Sequence, residues 1–331
     1  MCIRDSYPQI VKKFEDSKFP PEILEELERI LNLVGKTPLI VRSSSLLEDN
    51  FGASFVGKYE SVFCPNQKST KVNLRELCRA IKRVYATTLN PDALLYRRRR
   101  GLLDYDERMA VLIQVVVGEK QGKYYMPQTA GVAFSHNQFR WSPQIEPEAG
   151  FVRLVWGLGT RAVDRVGNDY PRLIALSHPL LYPSNSIKSI RRYSQQYVDL
   201  IDLDANKFCT LPIGSVLSPG DSTVRLFTQV EQDGYIQSLL GNIKTSDIPN
   251  LIFTFEDFIK QTKFVPIMKK ILGLLEGHYH APVDIEFTAN IINLTPTTKD
   301  VEITIVQCRP QSRLSELKEV RIPPDLSLIH I

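Results

Sequence analysis

A chain of 331 residues with 43% hydrophobic side chains can bury a sizeable core, as one large domain or as two of ordinary size. Its 41 basic and 37 acidic residues nearly cancel, leaving +4, so nothing points to nucleic acid or an anionic membrane as the main partner. Its five cysteines are scattered singly with no histidine at metal-ligand spacing, which fits a reduced cytoplasm, and its longest apolar run, Met109 to Val117, is too short to cross a bilayer as a helix.

The N-terminus has no basic lead followed by an apolar stretch, so nothing reads as a secretory signal. Residues 1–6 and 326–331 read as translated adapter tails, and the chain between them as a fragment of a longer protein. From Pro21 to Leu33, Ile23, Leu24, Leu27, Ile30 and Leu31 recur at helical spacing behind a Pro-Pro start, which predicts an amphipathic helix. Pro38 to Arg42 reads as a short buried strand, Ser43 to Gly57 as an ordered loop, Tyr59 to Phe63 as a second strand and Leu74 to Ala86 as a helix. The run Arg97 to Arg100 is expected at a solvated helix end. Met109 to Val117 is most simply a central strand, with Ala130 to Phe134 and Val152 to Trp156 as its neighbours. Residues 179–262 are polar and irregular apart from a strand at Tyr197 to Ile201, and are expected to form an insertion or lid. A helix from Val265 to Glu276 then leads into two strands, Val283 to Phe287 and Val301 to Cys308.

Those last strands carry the most chemistry. Alternation puts Asp284 and Glu286 on one face of the first, and Gln307 and Arg309 on one face of the second, with Val306 and Cys308 opposite. If the strands pair, two carboxylates, an amide and a guanidinium converge, a set suited to Mg²⁺ and phosphate oxygens. From spacing alone, an ordinary salt bridge on the wet face is the simpler reading. Earlier, Arg42 ends a strand and is followed by Ser43, Ser44 and Ser45, with Gly52 and Gly57 beyond, which suits a phosphate cradle as well as it suits helix capping through Ser45 and Glu48.

The stretch Val41 to Tyr59 resembles the V-R-S-S-x-x-x-E-D-x-x-x-A-S-F-x-G segment of the phosphoenolpyruvate synthase and pyruvate phosphate dikinase family, in its ATP-binding domain. The late strands resemble that family's D-I-E and Q-x-R-P motifs, Gln114 to Val116 its adenine-reaching strand, Gly131 to Phe134 its G-V-x-F strand, and Trp156 to Gly159 its G-L-G turn, all in family order from about 38 to 311. The resemblance implies an α+β ATP-grasp fold whose two lobes, 7–115 and 116–312 with the insertion at about 179–262, clamp the nucleotide. It further implies that Arg42 contacts ATP phosphates beneath a loop containing Gly57, that Gln114 and the backbone of Val115 and Val116 hold adenine, and that Glu286 and Gln307 bind Mg²⁺. Asp284 would orient that shell, and Arg309 would neutralise the transferred phosphoryl group. The parent would be a pyruvate, water dikinase-like phosphotransferase, passing phosphate to pyruvate through a phosphohistidine domain and a pyruvate-binding barrel.

The chain also departs from the family pattern. The family's early G-G-K segment is missing, as are the phosphohistidine motif and the barrel, and His136, His178, His278, His280 and His330 lack the context to replace that motif. The chain is therefore expected to hold the nucleotide half of the chemistry and to be inactive alone. A related domain with another acceptor, a glucan or a rifamycin-type antibiotic, and a nucleotide-binding module without transfer are the alternatives. Gly157 to Ala162 matches G-x-G-x-x-A, yet the residues from Val163 to Gly167 read poorly as the long helix of a dinucleotide fold. Gly118 to Lys123 is too short for a Walker loop.

Overall fold

The computed structural model describes residues 3–45, 47–48, 58–163, 167–219, 222–239, 241, 243–295 and 299–311. The protein is mixed helix and sheet, and among the described residues the strands form four sheets. No helix among the described residues is long and apolar enough to cross a membrane. Helix α1 (Ile3–Asp16) takes in residues 3–6, expected outside the fold; residues 326–331 lie outside the described ones.

Helix α2 (Pro21–Val34) starts on Pro21, whose fixed φ suits a first helical position, and ends at Gly35, which takes φ +63. It buries Leu27 and Leu31, one turn apart, against the face of a sheet. That sheet comprises β1 (Leu39–Ser44), β2 (Val62–Cys64) and β3 (Ala110–Val115), antiparallel in the order β2-β1-β3. Helix α3 (Thr70–Ala86) covers the same face with Leu77, Ile81 and Val84, and α4 (Pro91–Arg99), capped by the Asn90 side chain on the Asp92 amide, adds Ala93. Arg97 does not follow the expectation of a solvated helix end: it is buried, and its guanidinium donates to the carbonyls of Leu102 at 3.2 Å and Leu103 at 3.3 Å, securing the chain after α4.

The apolar run before Val117 is not a central strand. As β3 it is the edge of the small sheet, paired with β1 from Leu39↔Val115 to Ser44↔Ala110, and it is not in the sheet of the strands expected beside it. It is apolar on both faces because Val111 and Ile113 pack on the helix-covered core while Leu112, on the other face, is 44% exposed; Val115, at the strand end, lines a cleft between the two parts of the protein.

The second part begins with a hairpin, β4 (Glu119–Gln121) and β5 (Tyr124–Met126), turned at Gly122 with φ +61; the segment too short for a Walker loop is this turn. Next come β6 (Thr129–Phe134), β7 (Phe151–Trp156), α5 (Thr160–Val163) and β8 (Arg172–Ala175). They are followed by α6 (Ile187–Arg192), β9 (Tyr197–Asp202), β10 (Lys207–Pro212), α7 (Val224–Phe227), β11 (Thr228–Gln232), β12 (Tyr235–Ser238), β13 (Leu251–Phe253) and α8 (Glu256–Gln261). The last described elements are α9 (Phe264–Tyr279), β14 (Val283–Leu294) and β15 (Lys299–Pro310). The main sheet has the order β15-β14-β6-β7-β8, antiparallel throughout.

The segment at 179–262, expected as an insertion or lid, contributes to the larger core. Val198, Leu200 and Ile201 of β9 are fully buried in the larger core, and β9 pairs with β5. An aromatic chain runs from Phe227 to Phe258 (5.4 Å between centroids), Phe264 (4.9 Å) and Phe287 (5.8 Å), tying the segment to β14. Two large clusters of buried side chains result, one from Leu27 to Met109 and one from Val116 to Ile291. They also meet through the β9–β10 hairpin, where Phe208 stacks on Phe63 of β2 at 5.0 Å and Asn206 accepts from the Gln67 amide at 2.9 Å.

Gly131 shows how tightly the main sheet is built. A Cβ there would lie 2.1 Å from the Arg153 carbonyl oxygen of β7 and 3.0 Å from the Phe287 ring. Gly131→Ala must therefore push β6 away from its neighbour, and chemical denaturation is expected to show a loss of at least about 1–3 kcal/mol. An unchanged midpoint would mean that the strands have slack the packing does not suggest.

Candidate functional site

A cleft of about 450 Å³ lies where the two cores meet. Its walls come from β1, the end of β3 and residues 59–63 on one side, and from β6, α5, β14 and β15 on the other. Arg42 sits in β1 opposite Leu112 of β3 and reaches across to Glu286 of β14. The two meet as a fork: Nη1 is 2.7 Å from Oε2, and Nη2 donates to Oε1 at 2.9 Å. With side chains 17% and 18% exposed, both groups are largely withdrawn from water, so each depends on the other for charge compensation.

On β14 and β15 the register pairs Asp284 with Arg309 and Glu286 with Gln307. Arg309 Nε donates to Asp284 Oδ1 at 2.7 Å, and Arg309, Glu286 and Gln307 all line the cleft. Asp284 is not itself in the wall; it holds Arg309 from behind. The Oε1 of Gln307 is buried without a hydrogen-bond partner, an unmet acceptor on a residue of the cleft wall. Val306, expected on the opposite face, also lines the cleft, because the register slips between Glu286↔Gln307 and Phe287↔Ile305 and leaves Val306 as the extra residue of a bulge.

The adenine-reaching residues are placed less simply. Val115 and Val116 line the cleft with Val117, Ile40, Phe63 and Leu158, making one end of it apolar. Gln114 is not in the wall; its Nε2 approaches the Val306 carbonyl at 3.4 Å. The backbone N–H of Val116 donates to Pro38 at 2.9 Å, one step beyond the β1–β3 ladder, and its carbonyl accepts from the Tyr125 hydroxyl at 3.0 Å. That N–H is therefore engaged within the protein while the ladder is intact. Gly57 lies outside the described residues.

Several cleft residues were not singled out by sequence reasoning. Thr288, two positions beyond Glu286 on the same face of β14, was within reach of the alternation argument; Glu60 and Ser61 carried no pattern. Tyr59 also lines the cleft, where burial and, secondarily, the Glu107 carboxylate push its phenol well above its ordinary value, so it presents a neutral hydroxyl.

The G-L-G turn forms the floor. Gly157 takes φ +85 beneath Val198 and Asp199, and the helix after it, α5, has four described residues, with a turn at 167–168, unlike the long helix of a dinucleotide fold. Behind it, Arg161 bridges two carboxylates, Asp169 at 2.6 Å and Asp199 at 3.0 Å, all three side chains at most 7% exposed. Asp199 also accepts from the hydroxyls of Thr160 and Thr210, each at 2.6 Å, and Asp169 from the Gln196 amide at 2.6 Å. The network fixes Gly159, Thr160 and Val163 in the cleft wall.

Among the described residues, no group of three or more His, Cys, Asp or Glu could hold a metal ion. A cation here would have Glu286 and Gln307 as oxygen ligands and would take the rest from a bound anion or water, a donor set suited to a hard divalent ion sharing a phosphate.

Comparison with known proteins agrees with the motifs. The family described as pyruvate phosphate dikinase, AMP/ATP-binding domain, matches residues 2–328. Over 169 residues, 50% of the chain, it is 29% identical to a rifampicin phosphotransferase of Streptomyces sviceus, and the aligned part covers 17% of that protein.

Proposed function

This chain belongs to the family of the pyruvate phosphate dikinase AMP/ATP-binding domain, and on that premise we propose that its cleft is the clamp of an ATP-grasp fold, binding ATP with Mg²⁺ for phosphoryl transfer. The observation that carries the reading is the meeting of Arg42, from one core, with Glu286, Gln307 and Arg309, from the other, in a cavity of about 450 Å³ with an apolar end. Val115 to Val117, Ile40 and Leu158 take the base, while Arg42 and Arg309 take the phosphates. Glu286 and Gln307 would hold Mg²⁺, which supplies charge neutralisation on the polyphosphate when bound. Arg309, held by Asp284, stays aimed at the phosphoryl group as negative charge shifts during transfer. No nucleophile is needed from this chain, since phosphoryl transfer is served by positioning and charge.

Calorimetric titration of the chain with ATP in Mg²⁺, with CTP as a control for the base end, tests the reading. Saturable binding of ATP is expected, and its absence at millimolar nucleotide would overturn it.

The acceptor lies beyond the cleft. Pyruvate, reached through a phosphohistidine domain elsewhere in the parent enzyme, is the reading carried by the family. The similarity to a rifampicin phosphotransferase favours a second, an antibiotic acceptor reached in the same way. Product analysis of the full-length enzyme with pyruvate and rifampicin in parallel separates them.

A further inference from the structure

We infer that Thr288 is a nucleoside-binding residue of this cleft, donating its hydroxyl to the ribose of the bound nucleotide. The inference rests on the reading of the cleft as a nucleotide site. Thr288 is 7% exposed, its Oγ1 is buried without a hydrogen-bond partner, and the residue lines the cavity. Nearby hydroxyls differ: Thr129 donates to the Val155 carbonyl at 2.7 Å and Thr160 to Asp199 at 2.6 Å. A buried hydroxyl without a partner costs stability, and valine would fill the same space without that cost. The chain instead keeps threonine in the cleft wall, which Gln307, whose Oε1 is also unpartnered, lines as well.

Position along β14 assigns the ligand group. Glu286 marks the phosphate end through its pair with Arg42, and Thr288 stands one same-face step further, about 7 Å along the strand. Across the ladder its neighbour is Ala130, itself in the wall with Pro127 and Leu158. One hydroxyl between a charged end and an apolar end faces the part of a nucleotide lying between phosphates and base, which is the sugar, rich in groups that both donate and accept.

The test is Thr288→Val, with Thr288→Ser as the conservative control, titrated with ATP, 2′-deoxy-ATP and 3′-deoxy-ATP by calorimetry, together with thermal unfolding of the free proteins. Thr288→Val is expected to bind ATP about tenfold more weakly and to lose the wild-type preference over one deoxy analogue, while its free form unfolds at the same or a higher temperature; Thr288→Ser keeps both affinity and preference. Unchanged ATP affinity in Thr288→Val, an equal loss for all three nucleotides, or a lower unfolding temperature would each overturn the assignment. Failure of the wild-type chain to bind any of the nucleotides would instead count against the cleft being a nucleotide site.

Discussion

Replacing Arg161 by alanine is expected to destabilise the larger core by about 3–5 kcal/mol, the range for removing one partner of a buried ion pair. Alanine would leave the Asp169 and Asp199 carboxylates facing each other with side chains 5% and 6% exposed, without the cation that bridges them. The hydroxyls of Thr160 and Thr210 and the Gln196 amide would remain, so neither carboxylate loses all its hydrogen bonds, but none of these groups carries charge. Arg161→Lys should recover part of the loss, because an ammonium restores the charge without the fork that spans both acids. Both tryptophans of the chain, Trp141 and Trp156, lie in this part of the protein, and Trp156 belongs to its core. Denaturant unfolding monitored by their fluorescence therefore reports it directly. A midpoint within experimental error of wild type would mean that the network is dispensable.

Glu286→Ala is expected to weaken ATP binding in Mg²⁺ but not in its absence. In Mg²⁺ the loss should be roughly ten- to a hundredfold, the effect of deleting a charged contact. In EDTA the same substitution should leave affinity unchanged or raise it, because Glu286 occupies both terminal nitrogens of Arg42 and itself repels phosphate. Arg309→Ala should weaken binding by a similar factor in both conditions, since its guanidinium faces the cleft and acts on the anion directly. Calorimetry on both variants under both conditions reads all four values. Equal losses for Glu286→Ala with and without metal would remove its role as a cation ligand.

The site was more legible in the sequence than the fold around it. Alternation along the last two strands is a local rule, and the pairs Asp284–Arg309 and Glu286–Gln307 result from it once the strands pair. The bulge at Val306 is not local, since it is set by how β15 meets β14, so nothing in the pattern moved that residue into the cleft. Misplacing the strand before Val117 has a related cause: with Val111 and Ile113 on a core and Leu112 exposed on the other face, it is apolar on both and looks, in sequence, like one buried in a sheet. The irregular segment at 179–262 was hardest, because the packing of Phe227 on Phe255 and Phe258, and of Phe253 on Trp156, spans separations that no local pattern reveals. Arg161, Asp169 and Asp199 likewise carried no spacing signature; their association is a product of the turn, the loop and β9 coming together.

Arg42 and Glu286, the two sides of the cleft, are 244 residues apart in the chain. During synthesis, therefore, the small sheet can fold long before its partner wall has left the ribosome, yet the charged end of the cleft is not complete until β14 and β15 have been made and have paired. Closing so long a loop carries an entropy that the ion pair alone is too weak to offset, so assembly of the site depends on the larger core having folded first. A ligand held by both walls links them in turn: its binding energy opposes separation of the cores and unfolding of either one, and so couples two regions of the chain that otherwise have hydrophobic interiors of their own.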